Sequence, residues 1–135
     1  MKKTTMNSFG GLTYISISNI PVRETEFGEA IDLDPGTLER LVSIALIENK
    51  VPIRGAEFRV MKSAIALSNE AIANQLGINR NTVLKWGKEV EKRLPPPYEM
   101  LLRLLVANLL GIKIATTIED LKAGDKAKKI KLSAA

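Results

Sequence analysis

Apolar positions along the chain repeat with two periods, and the period changes mark the predicted elements. Residues 12–18, LTYISIS, alternate and are rich in β-branched side chains, which predicts a strand. Pro21 and Gly28 then carry turn signals around a short second extended piece, and residues 29–33, EAIDL, predict another strand. From about 35 to 49 the period becomes helical. Leu38, Leu41, Val42, Ala45 and Leu46 form one apolar stripe, with Asp34 as the expected N-cap and Pro35 at the first helical position. Residues 51–54 are a short extended link, because Pro52 disfavours helix at Val51. A helix over 55–66 follows, with Phe58, Met61 and Ile65 inward. Pro95, Pro96 and Pro97 break any helix before them. The helix predicted for 97–110 is apolar nearly all round, through Met100, Leu101, Leu104, Leu105, Ala107 and Leu109, and Gly111 stops it. Such a helix is expected to be covered by its own core and by a second chain. The polar, Gly-rich residues 1–11 are expected to be mobile, and 117–123 to form a short helix. Residues 128–132 alternate, and periodicity leaves both an edge strand and a basic tail open.

The stretch 67–86, LSNEAIANQLGINRNTVLKW, is the one on which the rest is mounted. Ser68 suits an N-cap and Glu70 places a carboxylate in the first turn. Ala71, Ile72 and Leu76 fall on one helical face. Gly77 stands where a helix ends in a left-handed residue. Asn79 is a second N-cap, and Val83 and Trp86 face back from a second short helix that starts at Arg80. Two short helices joined by a tight glycine turn form a helix-turn-helix unit. The expected fold is therefore mainly α: a five-helix bundle over about 54–110, preceded by a small β-hairpin or ββα unit. The expected divisions are 1–50, 51–113 and a C-terminal extension, 114–135.

Composition narrows the chemistry. The 135 residues include no cysteine and no histidine, and 45% are apolar, enough for a real core. Disulfides, Cys/His zinc sites, thiol nucleophiles and histidine bases are thereby excluded. No Gly-rich phosphate loop or nucleophile elbow is present, and Asp32 and Asp34 suit turn and cap roles, so no enzyme, catalytic residue, cofactor or metal is expected. No apolar run has the length of a membrane span, no signal-peptide core follows the basic start, and the lack of cysteine is compatible with the cytoplasm. The net charge of +5 is uneven: −2 over residues 1–50, +5 over 51–113 and +2 over 114–135. The positive excess lies on and after the helix pair, as phosphate neutralisation requires.

The pattern LSxExxAxxLGIxRxTVxxW resembles the helix-turn-helix of the lambda-repressor/Cro-like (XRE) regulators. With the run 54–62, the proline link and residues 101–105, LLRLL, the arrangement over roughly 12–110 is similar to MqsA-type antitoxins and their zinc-ribbon relatives. Those relatives usually carry two Cys-x-x-Cys knuckles, where this chain has MNSFG at 6–10 and ETEFG at 24–28. Either Phe9 and Phe27 pack where an ion would sit, or the spacing is chance. A second departure lies at Lys62 and Gly87, which match an Arg and a Glu that form an ion pair in many lambda-repressor-like proteins. Gly87 also weakens its helix.

The resemblance implies double-stranded DNA as partner, read at a pseudo-palindromic operator by a homodimer. Carried over position by position, the base-contacting residues are Arg80, Asn81, Thr82 and Lys85. Arg can chelate guanine, Asn can pair with adenine, and the Thr methyl can touch thymine. Asn69, Asn79, Arg54, Lys88, Lys92 and Arg93 are the candidate phosphate contacts. Leu84 contacts a thymine methyl or is half buried. The helices 35–49 and 97–110 are both candidate dimer faces. The implied function is an autoregulating repressor, the antitoxin of a toxin–antitoxin pair, whose acidic 20–50 region would hold a basic mRNA-cleaving toxin. The alternative is a helix-turn-helix fold used only to bind and neutralise a protein partner.

Overall fold

The computed structural model describes residues 2–114 and 117–135. Strand β2 (Ile15–Thr25) is the axis of a four-stranded mixed sheet. Its first half, Ile15 and Ile17, and its second, Ile20 and Val22, are buried, so the inward phase slips by one residue between them. Asn19, at φ 56, absorbs the slip. The partner strand β1 (Lys3–Met6) crosses the same point with Thr4 opposite Ile20 and Met6 opposite Ile17. That is a β-bulge, one extra residue on the longer strand. Beyond it, β3 (Gly28–Ile31) closes an antiparallel hairpin on the end of β2, with Val22 opposite Ile31 and Thr25 opposite Gly28. The last strand, β4 (Ile130–Ser133), lies parallel to the start of β2, Ile15 opposite Ile130.

The helices follow: α1 (Thr37–Glu48), α2 (Gly55–Ile65), α3 (Asn69–Leu76), α4 (Arg80–Lys88), α5 (Pro96–Leu110) and the single turn α6 (Ile118–Leu121). One hydrophobic core joins Leu12, Ile15, Ile17 and Ile130 of the sheet side to Val42, Leu46, Phe58, Met61, Ile72, Val83 and Leu102 of the helices. Each such aliphatic side chain contributes about 1.5–3 kcal/mol by burial. Rings tie α2, α4 and α5 together: Phe58 meets Trp86 edge-on at 5.6 Å, and Trp86 meets Tyr98 at 5.5 Å. No helix among the described residues is long and apolar enough to cross a membrane.

This architecture corrects the mainly α expectation. Among the described residues there are six helices and a four-stranded mixed sheet, and only four helices, α2 to α5, lie between 54 and 110. Residues 3–6, expected to be mobile, form β1, and the basic segment near the C-terminus supplies β4. Strand β1 is made by pairing with a distant β2 rather than by its own pattern, and the alternation at 128–132, which left strand and tail open, becomes β4 by the same kind of pairing. The cap of α1 also differs. Gly36, not Asp34, is the N-cap, in the left-handed region at φ 84, and no side chain caps the helix. Pro35 lies in the turn before it, and the Thr37 N–H donates to Asp34 O at 3.1 Å. Phe9 and Phe27 do not form a substitute for a metal core: Phe27 sits at the hairpin tip, 93% exposed, while Phe9 packs on the main core.

Buried charge fastens the helices to the links between them. Glu57, in the first turn of α2, accepts hydrogen bonds from the Arg54 N–H at 2.8 Å, from the Arg54 guanidinium and from Tyr14 Oη at 2.9 Å. Burial and the Glu57 charge hold the Tyr14 phenol well above its ordinary range. Glu99, in the first turn of α5, accepts from the Ile53 N–H and from two nitrogens of Arg93, each at 2.9 Å. Arg103 is fully buried and donates to Ile47 O at 2.7 Å, at the end of α1, where the helix dipole favours a cation. Desolvation lowers the Arg103 pKa from its usual value, and the Glu99 charge partly offsets this.

Candidate nucleic-acid interface

Local capping sets the α3–α4 pair. The Ala71 N–H donates to Ser68 Oγ at 3.1 Å, which starts α3. Gly77 ends it at φ 67, a conformation that favours glycine. Two residues later the Asn81 N–H donates to Asn79 Oδ1 at 2.7 Å and starts α4. The inner face of α4 is then Val83 and Trp86, both buried. Helical spacing puts Arg80, Asn81, Leu84, Lys85 and Lys88 on the opposite face, and all are exposed. Thr82 is half buried beside them. Leu84 is 36% exposed, so it belongs to the outer surface.

The charges on this face are not equivalent. Arg80 and Lys88 make no ion pair among the described residues, and neither does Lys62. Lys85 and Lys92 share Glu89, at 3.7 and 3.4 Å. Arg54 and Arg93 lie side by side where the chain segments before α2 and before α5 meet in an isolated β-bridge. Both forks are occupied: Arg54 by Glu57 and Glu91, Arg93 by Glu99. The hydrogen bond to Glu57 is the largest cause that raises the Arg54 pKa, and that to Glu99 does the same for Arg93. Of the expected phosphate contacts, then, Lys88 is free on α4, and Arg54 and Arg93 already serve the fold. Asn79 is engaged as a cap, and Asn69 is half buried at the first position of α3.

The end of α4 is held by groups with no local sequence signal. The Gly55 and Ala56 N–H groups at the start of α2 donate to Lys92 O at 3.2 Å and Val90 O at 3.0 Å. Arg59 Nε donates to Gly87 O at 2.7 Å. This bond to a backbone carbonyl is found near the place where the resemblance would put an ion pair between positions 62 and 87. Gly87 itself needs no glycine conformation, and a Cβ there would meet only Phe58 Cε2, at 3.8 Å. Gly87→Ala is therefore expected to raise stability by about 0.5–1 kcal/mol, measured as a higher urea midpoint with unchanged slope.

Chemically the outer face of α4 offers a planar five-donor fork, an amide that both donates and accepts, and two cations on one short helix. Such a set can read base edges or bind another polar, anionic surface. Among the described residues no cluster of His, Cys, Asp or Glu could hold a metal ion. Compared with known proteins, the chain matches no described family, no curated protein and no solved structure.

Proposed function

We propose that the chain is a sequence-specific DNA-binding repressor. In this reading it is dimeric, acts in the cytoplasm at its own operon, and is the antitoxin of a toxin–antitoxin pair. The observation that carries the reading is α4, whose inner face is buried on α2 and α3 while Arg80 and Asn81 face outward in its first turn and Lys85 faces outward in its last. A helix so mounted can enter the major groove with its first turns against the bases. Arg80 and Asn81 then read base edges, Thr82 and Lys85 flank them, and Lys88 neutralises phosphate. Of the two candidate dimer faces, α5 is the one still available. Its Leu101, Leu104 and Leu109 are exposed, whereas the stripe of α1 is spent on the core.

The test is a titration of duplex DNA from the protein's own promoter region at two salt concentrations. Arg80→Ala/Asn81→Ala is expected to bring specific binding down to the level of arbitrary DNA, each lost base contact costing about 1–3 kcal/mol. Binding that is indifferent to sequence in the unmodified protein would sink the reading. A second reading keeps the fold and drops the DNA: the protein neutralises a protein partner. The β2–β3 hairpin favours it, because Glu24, Glu26 and Glu29 are exposed around the projecting Phe27, with Lys2 pairing Glu24 and Glu29 at 3.2 Å and Glu26 left without an ion pair among the described residues. An acidic arm with an apolar tip suits a basic partner that has an apolar socket.

A further inference from the structure

Besides Arg80, Lys88 and Lys62 at the helix pair, a second group of cations without an ion pair among the described residues lies near the C-terminus. Around α4, carboxylates already engage Lys85, Lys92, Arg54 and Arg93. By contrast Lys126, Lys128, Lys129 and Lys131 are all exposed, and among the described residues none of them has a carboxylate within ion-pair distance. Four lysines within six residues, on a segment that is anchored, make a fixed strip of charge. The anchors are specific. The Gly124 N–H donates to Lys50 O at 2.8 Å, and the Ile130 N–H donates to Tyr14 O at 2.9 Å. Ile130 is buried against Ile15, so the alternation of β4 turns Lys129 and Lys131 outward together.

The strip begins beside the links that flank α4 and α2. Its near end, Asp125 and Lys126, lines the same cleft as Arg54, Glu91 and Arg93, next to the chain that leaves α4. Its far end, Lys129 and Lys131, borders a cleft with the neutral polar groups Asn7, Thr13 and Ser16. Lys129 and Lys131, at alternate positions, are about 6.6–6.8 Å apart, of the order of the step between successive phosphates on one nucleic-acid strand, while Lys126 and Lys128 precede the strand and line the neighbouring cleft beside Lys50. Asp125 is the one carboxylate within this strip. The partner that fits is a regularly charged, hydrated polyanion rather than an apolar or mixed surface.

We propose that Lys126, Lys128, Lys129 and Lys131 form a second contact track for the phosphate backbone of double-stranded DNA, and that this track supplies much of the sequence-independent affinity. The inference rests on the DNA-binding reading. In it α4 reads sequence, and the C-terminal strand and its lead-in hold the duplex.

The test uses the full chain with all four lysines changed to Gln, a second version with all four changed to Arg, and Arg80→Ala/Asn81→Ala. Each is titrated with an arbitrary-sequence duplex and with the promoter duplex between about 50 and 200 mM salt, the range over which phosphate contacts dominate the salt dependence. The lysines make no ion pair, so the Gln version is expected to keep its unfolding midpoint. Its slope of log affinity against log salt should fall by about 2–3, because each phosphate contact contributes about 0.9. Its affinity for arbitrary duplex should drop about tenfold or more at the lower salt. The Arg version should retain the original slope. The Arg80/Asn81 variant should lose preference for the promoter yet keep its binding to arbitrary duplex. An unchanged slope in the Gln version overturns the track and leaves the α4 reading standing; the lysines then only protect the open edge of β4. Failure of the unmodified protein to bind any duplex overturns both. Binding to phosphatidylserine vesicles, lost in the Gln version, with no duplex binding would assign the strip to a membrane surface and overturn it too.

Discussion

Glu99→Ala is expected to lower folding stability by about 3–5 kcal/mol, the usual cost of breaking a buried ion pair from its buried side. Glu99 is 1% exposed, and its carboxylate does three things at once. It accepts the Ile53 N–H, it holds the Arg93 fork by two bonds, and its charge lies near the buried Arg103. Removing it orphans a buried backbone donor and leaves Arg103 without that compensation. Arg93→Met should cost less, because the Arg93 side chain is 40% exposed and water can replace part of what it loses. Chemical unfolding of both single variants and the double variant measures this. A Glu99→Ala loss below about 1 kcal/mol would show that the pair is dispensable, as exposed pairs are.

The second large effect is expected at Gly55. Its φ is ordinary, so conformational freedom is not the reason for glycine there. A Cβ would clash with Trp86 O and lie 2.5 Å from Glu89 O and 2.9 Å from Glu89 C. All three atoms are backbone, so no side chain can swing aside. Gly55→Ala must push the start of α2 away from the end of α4, and with it the N–H groups that donate to Lys92 O and Val90 O. A loss of about 3 kcal/mol is expected, at the upper end of overpacking costs. If α4 reads DNA as proposed, the variant should also bind it more weakly at a temperature where it remains folded, because the clash displaces α4 itself. Circular dichroism melts and a titration of the same sample separate the two. Gly87→Ala on α4 is the control, since it adds a methyl group where there is room. Equal stability of the Gly55 and Gly87 variants would refute this account of the α2–α4 contact.

The helix pair was legible because its determinants are local. Ser68, Gly77 and Asn79 each act within a few residues, and all three hold their expected positions. Proline and glycine marked the two ends of α5 for the same reason: the helix opens at Pro96, one residue before the expected Pro97, and Gly111 closes it at φ 71. The set Arg80, Asn81 and Lys85 was carried over from the resemblance position by position, and all three are exposed. The phosphate candidates were less legible. Arg54 and Arg93 read as free cations, but their partners Glu57 and Glu99 are set by burial. A linear pattern does not show which carboxylate a long arginine will reach. Arg59 gave no sign at all, because its partner is a carbonyl 28 residues away.

The sequence by itself determined where helices start and stop around the turns, which face of α4 is apolar, and the absence of thiol and imidazole chemistry. These depend on side-chain identity and on spacing along one element. The tertiary structure alone decided that the protein is a mixed fold. Strands β1 and β4 are polar or basic segments, and β4 meets its partner β2 from 115 residues away, Ile130 beside Ile15. A short strand gains its hydrogen bonds only from a neighbour, so β1 carried no strand signal of its own and the alternation of β4 could not by itself decide between strand and tail. The bulge at Asn19 likewise exists to keep Ile15, Ile17, Ile20 and Val22 on one side, a demand made by the core rather than by the chain nearby.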